Sequence, residues 1–275
     1  MIVGKQSILF EENVYIEETA CVAGQKESEG PLGKLFDVVV EDAMAGMENW
    51  EEAESTLQQL AVDKLLEKWD GKKEDLRYIF AGDLLGQLIA TSFGLMQYEI
   101  PMFGLYGACS TFGEALSLAA MTVHAGYAGH VIALASSHFA SAEKQFRFPL
   151  GYGSQRKMAS TWTVTGSGAV IISSEKMAQK ANMSDKNKVH ITGITTGKIV
   201  DFGVKDSMNM GACMAPAAGN VIVQNLIDNG RKPEWYDKII TGDLGLVGKD
   251  ILLDITRSKG YDIADRYMDC GIEIY

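Results

Sequence analysis

Gly107-Ala108-Cys109-Ser110-Thr111-Phe112-Gly113, running on from Glu114 to Gly126, is the stretch on which the fold turns. Ile100-Pro101-Met102-Phe103-Gly104-Leu105 ahead of it reads as a short buried strand closed by a glycine-permitted turn, and an Ala-, Leu- and Met-rich helix follows. Cys109 therefore sits at a strand-to-helix corner, where unpaired amides and the positive helix end lower a thiol pKa and hold an anion beside it. A free cysteine is more often a small buried hydrophobe. Here small neighbours on both sides leave room for a ligand, which packing alone does not require.

The chain has 275 residues, 47% of them hydrophobic, and a net charge of -11. That is enough apolar material for one large domain or two smaller ones. The acidic balance argues against nucleic acid, and no Lys/Arg-rich run offers a patch for lipid headgroups. The 4 cysteines, Cys21, Cys109, Cys213 and Cys270, fit neither a zinc spacing nor a disulfide framework, so a reducing compartment is expected. No signal peptide and no long uninterrupted apolar run is legible, which points to a cytosolic chain, at most docked onto a membrane through another protein.

Residues 1–23 read as extended, followed by a Gly/Pro-punctuated loop from Gly24 to Gly33. A long amphipathic helix starts after Asn49 as its cap, places Leu57, Leu60, Ala61, Leu65 and Leu66 at helical spacing, and ends near Asp70-Gly71. Its charged residues form a solvated face without a functional role. Buried strands follow at Leu76–Ala81, ending at Gly82-Asp83, and at His130–Ala135, ending at Ser136-Ser137-His138; a helix is expected near Gln87–Gly94 and a Gly-initiated strand within Trp162–Ser173. Asn182–Lys188 is a polar linker.

Beyond the linker the chain repeats itself. Gly33–Met44 returns 164 positions later as Gly197–Met208 with six of twelve pairs identical, and Tyr78–Leu84 returns 160 positions later as Lys238–Leu244. Two echoes in the same order indicate duplication of one α/β half, dividing the chain into 1–181 and 188–275. From Gly82 the first half continues 93 positions to Glu175, whereas only 33 separate Gly242 from Tyr275. A truncated second half is therefore expected, lacking a cysteine helix and closing strands.

Two α/β halves, a cysteine at a helix start and Gly166-Ser167-Gly168-Ala169-Val170-Ile171-Ile172 resemble the thiolase superfamily. Within it, Gly30-Pro31-Leu32-Gly33, Ala81-Gly82-Asp83-Leu84-Leu85, Tyr106–Thr111, Ser136-Ser137-His138, Glu143–Pro149, Met214–Ala218 and Thr241–Leu244 together resemble the stage V sporulation protein AD family. The resemblance covers essentially the whole chain. It implies a five-layer α/β/α/β/α fold, dipicolinic acid as ligand, stage V sporulation membrane proteins as partners, a homodimer with the strand near residues 100–105 at the subunit edge, and a cytoplasmic protein held peripherally at the spore inner membrane.

Two chemistries compete for this fold. In an acyltransferase of the ketoacyl-synthase III or thiolase type, Cys109 attacks a thioester and a histidine of the second half serves as base. Yet no histidine follows His190, and Gly242-Asp243 stands where one is expected. A carboxylate there raises a neighbouring thiol pKa and stabilises no oxyanion, so acyl transfer is the weaker reading. A binding site for a flat aromatic dianion needs helix amides, supplied by Cys109, Ser110 and Thr111, and a cation or two. His138 is a candidate donor or a satisfied structural histidine. The segment Glu143–Lys157 carries Lys144, Arg147 and Arg156 and reads as a lid, with Arg147, beside Tyr152 and Gln155, the best carboxylate clamp. Asp83 and Asp243, equivalent by the repeat, could share a calcium ion, but Asp readily caps the helix that follows it, and the capping reading is preferred. No resident cofactor or metal is expected, calcium entering only with the ligand. A scaffold role without a ligand is the third possibility.

Overall fold

A computed structural model describes residues 1–151, 159–180 and 189–275. They form two compact units: a larger one of Phe10–Leu150 and Thr163–Thr192, and a smaller one of Met1–Leu9, Gly151–Trp162 and Gly193–Tyr275. In chain order the strands are β1 (Ile2–Val3), β2 (Ser7–Gly24), β3 (Val38–Val40), β4 (Leu76–Asp83), β5 (Met102–Gly104), β6 (His130–Ser137), β7 (Gly166–Ser174), β8 (Val189–Thr195), β9 (Ile239–Thr241) and β10 (Tyr267–Asp269). The helices are α1 (Gln25–Ser28), α2 (Trp50–Lys68), α3 (Ile89–Leu95), α4 (Thr111–His124), α5 (Phe139–Glu143), α6 (Glu175–Lys180), α7 (Met210–Asn229), α8 (Gly245–Ser258) and α9 (Cys270–Ile274).

The larger unit is built on a sheet in the order β2-β7-β6-β4-β5. β7 runs antiparallel to both neighbours, while β6, β4 and β5 are mutually parallel. Alternation along each strand splits the core between the two faces. Ile79, Ile132, Leu134 and Ile171 pack under Leu57, Ala61, Val62 and Leu65 of α2. Phe80, Val131, Ala133 and Ile172 face Ala115, Ala119, Ala120 and Val123 of α4, whose small side chains let it lie close to the sheet. Each fully buried large aliphatic side chain contributes about 1.5–3 kcal/mol.

Asn49 caps α2 as expected, its side chain accepting from Glu52 N at 2.9 Å. Three expectations need correction. The charged residues of α2 are not all solvated: Glu54 is 1% exposed, because its partners arrive from β6 and α5. The strand around Met102 is not buried; among the described residues β5 pairs only with β4, at the sheet edge, and Phe103 is 51% exposed. α3 begins two residues later than expected, at Ile89, because Gln87 and Leu88 take left-handed φ of 53° and 69°.

In the smaller unit α7 packs along α8, where Gly211 and Gly248 allow backbone contact; a Cβ on Gly211 would stand 2.4 Å from the Leu244 carbonyl. Asp228 on α7 accepts from Lys5 N, Gln6 N and Ser7 Oγ, each at 2.9 Å, and so holds the start of the chain. Among the described residues α7 alone is long and apolar enough to cross a membrane. It buries Ala215, Gly219 and Leu226 and carries Asn225, whose amide is bonded to Thr195 and Tyr236, while 28% of its apolar stretch is buried.

The repeat holds at the level of single hydrogen bonds. Asp42 Oδ1 accepts from Met44 N at 3.0 Å, and Asp206 Oδ1 accepts from Met208 N at 3.0 Å. Asn209 caps α7 through Ala212 N at 3.1 Å as Asn49 caps α2. The short 3-10 turn Lys73–Asp75 recurs as Pro233–Trp235. Ile79, Phe80 and Ala81 pair in parallel with Met102, Phe103 and Gly104, while their equivalents Ile239, Ile240 and Thr241 pair in parallel with Tyr267, Met268 and Asp269. The second half thus carries counterparts of α2, β4 and β5 but, among the described residues, none of β6 or β7.

The cysteine turn and its cleft as candidate functional site

Cys109 lies in a 3-10 turn, Ala108–Ser110, placed between the end of β5 and the first residue of α4. The turn closes on itself. Ser110 N and Ser110 Oγ both donate to the Gly107 carbonyl, at 3.0 and 2.7 Å, and Gly107 N donates to Thr111 Oγ1 at 3.2 Å. Ala108 adopts φ 47°, a left-handed conformation that costs a non-glycine residue about 1–2 kcal/mol. With the strained residue immediately before it, Cys109 is held exposed rather than folded into the core.

Beneath this turn is a cleft of about 330 Å3 at the C-terminal ends of β4 and β6, the end of the sheet where α/β folds place their sites. Cys109, Thr111, Phe112, Leu84, Ser137 and Gly168 border it, and so does a second thiol, Cys21 on β2. Cys21 N donates to Asp37 Oδ2 at 2.9 Å, and burial pushes the Cys21 thiol pKa up. A Cβ added at Gly168 would meet nothing within 4 Å, so this glycine leaves volume open on the cleft floor. The available hydroxyls are engaged within the protein: Ser137 Oγ donates to the Val164 carbonyl at 2.6 Å, and Ser167 Oγ to Ala135 at 3.3 Å. No His, Lys, Arg, Asp or Glu lines the cleft among the described residues.

Of the residues singled out by sequence, Cys109 and Thr111 line the cleft, and Ser110 holds the turn. His138 does not line it. The ring is 1% exposed, its Nε2 stands 2.8 Å from the Ala43 carbonyl, and its Nδ1 accepts from Ala140 N at 3.2 Å. It stacks on Trp50 and Phe139, and burial lowers its pKa, the properties of a neutral structural histidine. Arg147 is 5% exposed, with Nε 3.6 Å from Glu143 Oε2, and Lys144 is ion-paired with Glu51; neither lines the cleft. Tyr152, Gln155 and Arg156 lie outside the described residues. Asp83 anchors the start of α3, accepting from Leu88 N at 3.2 Å and from Thr91 Oγ1 at 3.0 Å.

A polar network runs on the opposite, α2 face of the same strand ends. Gln58 Nε2 donates to Ser136 Oγ at 2.7 Å and to Thr91 Oγ1 at 3.1 Å, and Thr91 in turn donates to Asp83. Ser136 Oγ donates to Glu54 Oε1 at 2.8 Å and Ser141 Oγ to Glu54 Oε2 at 2.5 Å. Burial raises the Glu54 carboxyl to about 7; the two serines counteract burial, and the charges of Asp83 and Glu51 add to it. Sequence reasoning missed Glu54, Cys21 and Gly168. The period-2 alternation of β2 could have pointed to Cys21, whereas nothing local marks Glu54.

The arrangement resembles several solved structures. OleA of Xanthomonas campestris with cerulenin superimposes with a TM-score of 0.63 at 13% identity, covering 97% of this chain and 84% of that one. Human mitochondrial 3-ketoacyl-CoA thiolase in complex with CoA gives 0.60 at 12% identity, covering 97% and 88%. At such identities the likeness shows a thiolase-like fold and nothing more. Stage V sporulation protein AD of Bacillus subtilis (strain 168) is 39% identical over 274 residues, covering 100% of this chain and 78% of the relative. The family model for stage V sporulation protein AD matches residues 4–275. Placed by both matches, this chain is a thiolase-like member of the stage V sporulation protein AD family.

Proposed function

We propose that the chain binds dipicolinic acid, as the free dianion or as its calcium chelate, in the Cys109 cleft, and serves its uptake into the developing spore without transforming it. The observation that carries this reading is the lining itself: a small-molecule-sized cleft beside the turn that opens α4, with no histidine among its described lining residues to serve as base for acyl transfer. None of the four histidines borders the cleft; His138 is committed to Ala43 and Ala140, and His130 faces Glu17 at 3.3 Å. The cleft volume of about 330 Å3 is at the lower end of small-molecule sites. Calcium enters this reading only as part of the ligand. The protein acts as a homodimer through β5 and at the spore inner membrane through other stage V sporulation membrane proteins.

The test is calorimetric titration with dipicolinate, with and without calcium. Saturable binding is expected for the wild type and its loss in Gly168→Val, which fills the cleft without a clash at Cβ. Arg147→Ala is a poor probe, because it strips the buried Glu143 of a guanidinium 3.6 Å away. Absence of binding by folded wild type sinks the reading. Thioester turnover that disappears in Cys109→Ala would instead establish the acyltransferase.

A further inference from the structure

Two observations, independent of any ligand, converge at Ser136. It borders the cleft as part of β6. Its hydroxyl points the other way, since Ser136 shares the strand face of Ile132 and Leu134, which pack under α2. There it receives Gln58 at 2.7 Å and donates to Glu54 at 2.8 Å. From Gln58 the network continues through Thr91 to Asp83, the residue next to cleft-lining Leu84. One buried carboxyl is thus hydrogen-bonded to one wall of the cleft and linked through side chains to a second.

From this we infer that Glu54 is a positioning residue whose protonation is coupled to anion binding in the cleft: neutral Glu54 favours an anionic ligand and ionised Glu54 opposes it. The inference rests on the proposed binding function and adds its proton dependence. The reason is electrostatic. Ionisation places a negative charge on the far side of a single strand from the ligand, in surroundings that screen it poorly. It also fixes the Ser136 and Ser141 hydroxyls as donors to the carboxylate, whereas the protonated carboxyl can donate in return.

Around Glu54, its own helix contributes Glu51, ion-paired with Lys144 at the end of α5. β4 contributes Asp83. The α5 side adds His138, held neutral by burial, and Glu143, facing Arg147. β6 has His130 only at its opposite end, while α3, β3 and β7 carry no ionisable side chain. Burial pushes the Glu54 carboxyl up to about 7, where a ligand can move its protonation.

The experiment titrates wild type, Glu54→Gln and Ser141→Ala with calcium-free dipicolinate, both of whose carboxyls stay ionised, at about pH 6 and about pH 8. Wild-type affinity is expected to fall about tenfold between the two, within the range of ordinary site-to-site coupling. Glu54→Gln, neutral throughout, should bind equally at both, and Ser141→Ala should move the transition to higher pH by removing a bond to the ionised form. The net-neutral calcium chelate should show little of the effect. Equal wild-type affinity at both pH values overturns the inference, as does the same fall in Glu54→Gln. Complete absence of binding by folded wild type removes the binding function itself, a result distinct from pH-independent binding.

Discussion

Glu54 has a thermodynamic signature that needs no ligand. Its carboxyl titrates at 4.5 in the absence of the fold and at about 7 within it. Between those values the folded chain retains a proton that the unfolded chain has lost, so stability falls as pH rises, and it is level below 4.5 and above about 7. The full drop is about 3 kcal/mol. Urea denaturation across this range should show it in wild type and not in Glu54→Gln; parallel curves for the two proteins would refute the assignment. His138 is the contrasting residue. It had equal standing as ligand donor and structural group in the sequence, and its two engaged nitrogens decide for structure.

At the scale of elements, the two helix caps form an internally matched pair. Asn49→Ala and Asn209→Ala should each cost about 1 kcal/mol, measured by thermal or chemical denaturation, since each side chain accepts one amide at the same place in its half. β5 offers a different test. An exposed edge strand with free backbone groups invites pairing with another chain, and β5 presents Met102 and Phe103 at such an edge. Phe103 stacks on Phe80 at 5.0 Å, so Met102→Lys disturbs the edge with less loss of packing. The gel-filtration mass should fall from dimer to monomer in that variant; an unchanged mass would place the dimer contact elsewhere. Most elements were legible from apolar spacing and Gly/Asn punctuation, to within a few residues. What was hidden depends on strand order. Glu54 looked like one more charge on an amphipathic helix, because its partners Ser136 and Ser141 lie 82 and 87 residues away. β5 looked buried because its composition is apolar, and only the sheet order makes it an edge.

For the whole molecule, duplication was the most legible fact, since it leaves the same residue types at a constant spacing whatever the tertiary contacts. It also let the sequence reading pair Asp83 with Asp243 correctly by position. Their surroundings have since diverged. Asp83 is fully buried and accepts from Leu88 N and Thr91 N at the start of α3, whereas Asp243 is only partly buried. Equivalent positions have kept their place after the strand and differ in burial, which no periodicity can reveal.

The offset between halves shrinks from 164 at Asp42 and Asp206 to 160 at the two asparagine caps, so the first half holds four more residues between its aspartate turn and its helix. They correspond to Ala45-Gly46-Met47-Glu48, where Ala45 and Gly46 take φ of 50° and 74° and Gly46 has open space around it. One ancestral connection has thus survived in two lengths while the turn before it and the cap after it were retained. Excising those four residues should leave a chain that folds with a melting temperature lowered by only a few degrees, and collapse of the shortened chain would show that the longer version has become indispensable. The molecule contains a natural record of where its backbone accepts insertion, a point of entry for a reporter or tether set away from the cysteine turn in sequence.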